Sequence, residues 1–586
     1  YYRQLSADFK TEVKRMADEQ RFFHWCVEFP EVFAANKGFD VMCGNPPWDK
    51  LQMEEEKWFA GKDEDIVKAA NQAERKEKIA NLQTSAPKLY EEFTIACNAL
   101  TSQSNFVKNS GRFPLTAVGK LELSSLFAEL CLSFTKEAWG LVLPTGIAVN
   151  DSNKYFFSKL IDENRLLSIF SFENEEKLFD IHHSFKFCLL TCCNKTETPH
   201  SVSGGFYLRR VDHLLDPRRI YILRTDDFAR LNPNTKLCPV FRTSKDAQLT
   251  AKIYRNAPIL LNKVTGKDYW GIRFMMMFNM ASASSFFHSR KQLEEIGSQK
   301  KGSSYIVGKD EYVPLYEGKM FWLYNHHYGV FPNENIIGQR PNIIDSTSIE
   351  ELQQTDFPTA PWYWVNKKLV DNRLIDKDKD GNIRWQWKQS YYIAFRDVTN
   401  ASTSRTCVAT VMPSGVAAGH NAPLVFTSRS VIPSMCFAAM ISSLVYDYVA
   451  RQKVGGSHMN LFIVEQQPTL TPDQIPSTMQ WQIVKRVAEL CYFNHDMDGW
   501  ASELWEEMNE DQRAELPQLG AQQPWIYNSE RRAILQAELD AIFAHLYGLN
   551  TEDLRYILDP EDVCGKGCIN ETFRVLKDNE IRQYGE

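Results

Sequence analysis

The chain has 586 residues, 44% hydrophobic and 24% charged, so it holds several ordinary globular domains and is neither disordered nor a small disulfide-stapled scaffold. Its net charge of −7 excludes a protein that meets nucleic acid with its whole surface; such a partner needs a local basic face. Thirteen cysteines without framework spacing fit reduced thiols in a cytoplasmic protein, and the longest apolar run, 431–450, is broken by Pro433 and Asp447 and reads as a buried helix rather than a membrane span.

Residues 8–25 have a helical pattern, and 38–44 reads as a short buried strand opening into a turn. The charged stretch from 50 to 82 has apolar positions at helical spacing, which predicts an exposed helical insertion extending to about 115. A helix over 121–138 precedes a strand over 140–144 closed by Pro144, and Asp151 or Ser152 can cap a helix over 154–163. Two apolar runs follow, 166–172 and 185–193. This alternation predicts an α/β domain over 1–200 with a mainly parallel sheet, antiparallel pairing being confined to the last two strands. From 201 to 470, short strand-like runs and many aromatics predict a separate mixed α/β domain. Residues 471–586 return to helices, the clearest amphipathic one at 531–547 with Gly548 as its C-cap. Residues 209–255 carry eleven Arg or Lys against five Asp, either a nucleic-acid face or a solvated one.

One motif carries chemistry. Asn45-Pro46-Pro47-Trp48 directly follows a strand, at the edge where open α/β sheets bind ligands. An exocyclic amine or amide nitrogen has a delocalised lone pair, and it attacks a methyl donor only when two acceptors aimed at its N–H groups relocalise that pair. The Asn45 side-chain oxygen and the Pro46 carbonyl can be those acceptors; the fixed φ of proline holds the carbonyl, and Trp48 can stack on a flat substrate. A rigid proline turn is the purely structural alternative.

With these residues the sequence resembles the gamma-class adenine-specific DNA methyltransferases, and among them the large proteins of type IIG-like, DISARM-like or BREX-like restriction-modification and phage-defence systems. The resemblance rests on His24-Trp25 through Phe33 followed by FDVMCGNPPW, on Leu141-Val-Leu-Pro-Thr-Gly-Ile147, and on Phe172-Glu173-Asn174 through Phe179 to Phe187. It continues in Phe395-Arg396-Asp397-Val-Thr-Asn400, in Val454-Gly455-Gly456-Ser-His458 and in the tail from Glu538 to Leu549.

The resemblance implies a partial Rossmann-like methyltransferase domain over 1–200, a target-recognition domain over 201–470 and a helical region over 471–586. It also implies S-adenosyl-L-methionine as methyl donor, and as partners double-stranded DNA, further subunits of a defence system and the N-terminal part of the same protein. Asn45, Pro46, Pro47 and Trp48 then form the catalytic loop, Phe179 stacks on an adenine flipped out of the duplex, and Glu28 and Phe29 contact the donor's adenine ring. Only 44 residues precede Asn45, too few for the glycine-rich donor loop of the class. The chain is therefore expected to be the C-terminal part of a longer protein and to bind the donor poorly alone. For DNA contact, Arg396 and Arg405 offer guanidinium forks, Asn400, His458 and Asn460 offer side-chain donors, and Gly455 and Gly456 allow close backbone approach. Pairing of Arg396 with Asp397, and a helix end at Gly455-Gly456, are the structural alternatives.

Other candidates are weaker. Asp376-Lys-Asp-Lys-Asp380-Gly381 copies half of a calcium loop, but Trp387 stands where a bidentate Glu is needed, so an acidic hairpin turn is expected. Cys564 and Cys568 lack the remaining ligands of a zinc site. His326-His327 and His182-His183 are adjacent, a spacing expected to point the side chains apart, so no metal site is expected. Two competing functions remain: methylation of a protein glutamine amide, which the long region after 200 disfavours, and a non-catalytic DNA-recognition subunit.

Overall fold

A computed structural model describes residues 6–69, 72–194, 196, 201–333, 338–401, 403–454, 456–565, 573, 577, 581, 582 and 585. The described residues form two compact units. The first runs to Asp216 and adds Ile222–Phe228 and Thr235–Leu237; the second comprises Pro217–Tyr221, Ala229–Asn234 and the chain from Cys238 onward.

The first unit is built on a six-stranded sheet of order β1-β2-β4-β3-β5-β6, with β1 Phe39–Gly44, β2 Thr135–Pro144, β3 Leu166–Glu173, β4 Lys186–Cys193, β5 Ser201–Leu208 and β6 Tyr221–Arg224. β1 and β2 are parallel, as are β3 and β5, whereas β4 lies between β2 and β3 and is antiparallel to both. Four strands thus point one way and β4 the other. The C-terminal ends of β1, β2 and β3 and the start of β4 therefore share one edge of the sheet. The β3–β4 pairing is the expected antiparallel one; the long-range β2–β4 pairing is not visible in local pattern.

β1 starts at Phe39, one residue later than predicted, and is not buried. It is an edge strand with Val41 61% exposed, because only β2 pairs with it. The helix expected over 121–138 ends at Phe134, and Thr135 already belongs to β2, where it pairs with Phe39. Strand pairing there overrides helical periodicity. The first helix, Ala7–Gln20, stops at Arg21 in the left-handed region (φ 49°), and a short helix follows at Trp25–Glu28. Asp151 caps nothing; Asn153 occupies the cap of helix Lys154–Asp162, whose Phe156, Phe157, Leu160 and Ile161 are buried. The insertion is helical as expected, Glu55–Phe59, Glu64–Val67, Gln72–Ser85 and Pro87–Asn109. These helices close over a small core of Phe59, Ile66, Ile79, Leu82 and Phe93.

The second unit combines short, mostly antiparallel strands with helices. Tyr391–Phe395 is buried at every position between Ala409–Pro413 and Leu424–Phe426. The helices after 476 do not stand apart as the sequence suggested. Val431–Ser442 is apolar on all faces and needs cover on more than one side; it packs on strand Ala409–Pro413 and on helix Ser477–Cys491, so 238–470 and the later helices share one core. Helix Ser529–Leu546, followed by Gly548 at φ 73°, matches its predicted position. No single helix among the described residues is long and apolar enough to cross a membrane.

Candidate active site

The loop Asn45–Trp48 leaves β1 at the shared strand edge, with Asn45 exposed and Pro46 and Trp48 partly buried. Trp48 anchors the loop: its indole N–H donates to the carbonyl of Val142 in β2 at 3.3 Å, and its ring stacks on Phe187 of β4 at 6.2 Å between centroids. Phe187 in turn stacks on Phe172 of β3 at 5.3 Å. Three strands therefore fix one indole.

The β3–β4 connection brings Phe179 to the same place. Its ring meets Trp48 edge-to-face at 5.9 Å and Phe187 at 4.8 Å. The fully buried side chain of Asn174 holds this connection. Its oxygen accepts the N–H of Phe179 at 3.0 Å, and its amide donates to the carbonyls of Phe179 at 2.9 Å and Ile181 at 3.0 Å. Beside it Glu173 pairs with Lys186 (3.3 Å) and Arg209 (3.2 Å). Asn174 and Phe187 lie within the quoted motif without a role of their own there; an Asn directly after a strand is the signal for the bracket, since its side chain can bridge backbone groups of a turn.

Asn174→Ala removes three hydrogen bonds that hold this connection, at about 1 kcal/mol net each. The variant is expected to lower the thermal midpoint by several degrees, read by calorimetry; a midpoint equal to the parent's would show that the bracket does not hold the connection.

Glu28 and Phe29 are not at this edge. Phe29 packs with Trp25 (5.9 Å) and Phe39 (5.5 Å), at the beginning of β1, and Glu28 is exposed beside it. At about 3.3 Å per residue, the length of β1 separates them from Asn45 by well over 10 Å. Phe29 is a packing residue at the start of β1, and this geometry does not bring it or Glu28 to the Asn45 loop.

In the second unit two expected DNA-contacting forks turn inward. Arg396 donates to the carbonyl of Phe321 (Nε at 2.9 Å) and lies over the ring of Trp322 at 4.6 Å; burial lowers its pKa to about 10. Arg405 donates to buried Asp447 at 3.0 Å and to the carbonyl of Ser442. Both follow or precede fully buried strand residues, and the chain's inward course carries them along. Arg396 does not pair with Asp397, which instead meets His458 Nδ1 at 2.7 Å.

The structure does join the two segments that the sequence picked out: Met459 N–H donates to the Asp397 carbonyl at 2.7 Å and Thr399 N–H to the Ser457 carbonyl at 3.0 Å. On this joint ledge Asn400, Gly456, His458 and Asn460 are exposed; Gly455 lies outside the described residues. Several charges of the 209–255 run are paired, Arg210 with Asp212, Lys236 with Asp162 and Lys252 with Asp553, as in a solvated face. The acidic loop is the expected hairpin turn, Asp378 accepting from the N–H groups of Asp380 and Asn382 with Gly381 at φ 85°. Cys568 lies outside the described residues.

Residues 2–108, which contain Asn45–Trp48, match the family described as Eco57I restriction-modification methylase. Solved structures similar to the chain include the type IIL restriction-modification enzyme MmeI in complex with DNA (9% identity, TM-score 0.37, 94% of this chain and 59% of that one). They also include the type IIG restriction endonuclease BpuSI (13%, 0.25, 77% and 52%) and the ATP-dependent type ISP enzyme LlaBIII bound to DNA (12%, 0.34, 79% and 30%). The chain thus spans less than two thirds of each. No curated protein matches it. Its first hundred residues are thus similar to a restriction-modification methylase family, within a mixed α/β fold.

Proposed function

We propose that this protein methylates the exocyclic amine of adenine in duplex DNA with S-adenosylmethionine as donor, in a cytoplasmic restriction-modification or antiphage system. The observation that carries this reading is the convergence of Asn45-Pro46 with the Trp48–Phe179 aromatic pair at the strand edge. The donor supplies the methyl group. Phe29 packs at the opposite end of β1 from Asn45, so it is not among the residues that would hold the donor beside the loop.

The side-chain oxygen of Asn45 and the carbonyl of Pro46 accept the two amine N–H groups and hold the nitrogen lone pair out of conjugation. Trp48 bounds the pocket, and Phe179 closes on the base. A base held between two rings needs them about 7 Å apart, two carbon contact distances. At 5.9 Å and 67° the Trp48 and Phe179 rings close on each other, so Phe179 swings aside when a base enters.

The test is labelled-methyl transfer by the full-length protein to duplexes with and without adenine, and to protein substrates. Incorporation confined to adenine-containing DNA is expected. Transfer to protein glutamine, or none with DNA still bound, would establish one of the two alternatives instead.

The ledge of Asn400, Gly456, His458 and Asn460 is the part of the second unit proposed to meet DNA. His458→Ala should relax one position of the methylated motif by about 1–3 kcal/mol if the imidazole reads a base, or weaken all sequences alike and flatten the salt dependence if it meets phosphate. Sequencing of methylated sites beside affinities at two salt concentrations separates these. Unchanged motif and affinity would remove the ledge from the interface.

A further inference from the structure

The second unit holds a cluster of ligating side chains that the proposed methyl transfer does not use. A tight turn, Trp322–Asn325, is closed by the N–H of Asn325 donating to the carbonyl of Trp322 at 3.0 Å and the reverse bond at 2.8 Å, with Tyr324 at φ 55°. It delivers His326 and His327 side by side. Adjacent residues in an extended segment would point their rings apart; here the ring centroids are 4.5 Å apart. The Asn325 side chain accepts the N–H of His327 at 2.9 Å, and the hydroxyl of Thr347 holds the carbonyl of His327.

Facing them is Asp496, on a short turn that Asn494 caps by accepting the Asp496 N–H at 3.1 Å, while the Asn494 amide donates to Phe357 at 2.9 Å. His326 Nε2 lies 2.9 Å from one carboxylate oxygen and His327 Nε2 2.8 Å from the other. The three ligating atoms fall within 4.8 Å of one another. Both imidazoles are buried, whereas the carboxylate is 25% exposed.

We propose that His326, His327 and Asp496 form a binding site for a divalent transition-metal ion of zinc-like preference, with three protein ligands and a remaining position open towards solvent. Two imidazole nitrogens and one carboxylate oxygen are a donor set suited to zinc and to cobalt or nickel, and unsuited to magnesium or calcium, which take oxygen ligands. Bonds of about 2.0–2.2 Å in tetrahedral geometry place ligand atoms about 3.3 Å apart. The 2.8 and 2.9 Å separations, each to a different carboxylate oxygen, have to open by about half an ångström while ligating atoms up to 4.8 Å apart close on the ion, and Asp496 is the member with room to move.

The same coordinates also satisfy a metal-free arrangement, two imidazoles each donating to one carboxylate oxygen, and the experiment separates the two.

Full-length protein is stripped with EDTA, dialysed, and titrated with zinc chloride and with cobalt chloride, reading calorimetry, the visible bands of bound cobalt, and the thermal midpoint. One ion per chain is expected, with the visible bands of a low-coordinate site and a higher midpoint that EDTA reverses. Asp496→Asn keeps the shape and the acceptor oxygen and is expected to weaken binding at least about 100-fold while the protein stays folded. His327→Ala gives the same loss if it folds. Absence of stoichiometric binding by the folded parent overturns the proposal in favour of the metal-free cluster. Equal binding by parent and Asp496→Asn also overturns it, because the ion then sits elsewhere.

Discussion

Asn45→Ala is expected to reduce methyl transfer at least about 10²–10³-fold, the loss that follows when one preorganised polar partner of a reacting centre is removed. DNA affinity should change little. Contacts to phosphate supply much of the binding energy of DNA-binding proteins, and Asn45 stands exposed at a strand end, where in the proposed reaction it meets only a base turned out of the duplex. Labelled-methyl transfer measured beside a gel-shift titration reads both quantities on one preparation. Transfer within a few-fold of the parent's would remove Asn45 from the reaction and leave the proline loop as a rigid turn. A parallel loss of DNA affinity would point to damage around the Trp48 anchor instead, and thermal unfolding of the variant detects that.

The second large effect concerns folding. The carboxylate of Asp447 is fully buried and accepts from Arg405 at 3.0 Å, from Arg451 at 2.7 Å, and from the backbone N–H groups of Thr406 at 2.8 Å and Cys407 at 3.1 Å. Arg451 also donates to the carbonyls of Ala401, Thr403 and Ser404. This cluster fastens the segment after Asn400 to helix Leu444–Arg451. Asp447→Ala leaves two buried guanidinium groups without their counter-charge, at about 3–5 kcal/mol, a large share of the 5–15 kcal/mol that holds a typical domain folded. A thermal midpoint lower by many degrees and a poor soluble yield are expected. Replacing all three charged residues together with apolar side chains of similar size removes the uncompensated charge but also strips these partners from the Thr406 and Cys407 N–H groups and from the carbonyls of Ala401, Thr403, Ser404 and Ser442, so it should recover only part of the loss. If Asp447→Ala unfolds within a degree or two of the parent, the carboxylate is not the clasp that its hydrogen bonds describe.

Arg405 and Arg396 illustrate a limit of motif reading. A guanidinium near a conspicuous loop looks the same in sequence whether it faces solvent or a buried carbonyl. Its direction is set by the strand that carries it, and Tyr391–Phe395, buried at every position, takes the following Arg396 inside. The ledge formed by 397–400 and 456–460 survives as a candidate because its pairing leaves Asn400, His458 and Asn460 outward.

By itself the sequence determined the features that short-range physics governs: strand β1 running into Asn45–Trp48, the hairpin at Asp378–Gly381, and the helix ending before Gly548, where proline geometry, a left-handed glycine or a helical period leaves a local mark. Only the tertiary structure decided what long-range pairing governs. Insertion of β4 between β2 and β3 carries Phe179 to Trp48, and a core shared across 238–546 joins helices that composition alone had separated. The same holds for His326 and Asp496, 170 residues apart and joined by two turns. No local pattern encodes such a meeting, because it follows from how whole elements bury their apolar faces against one another.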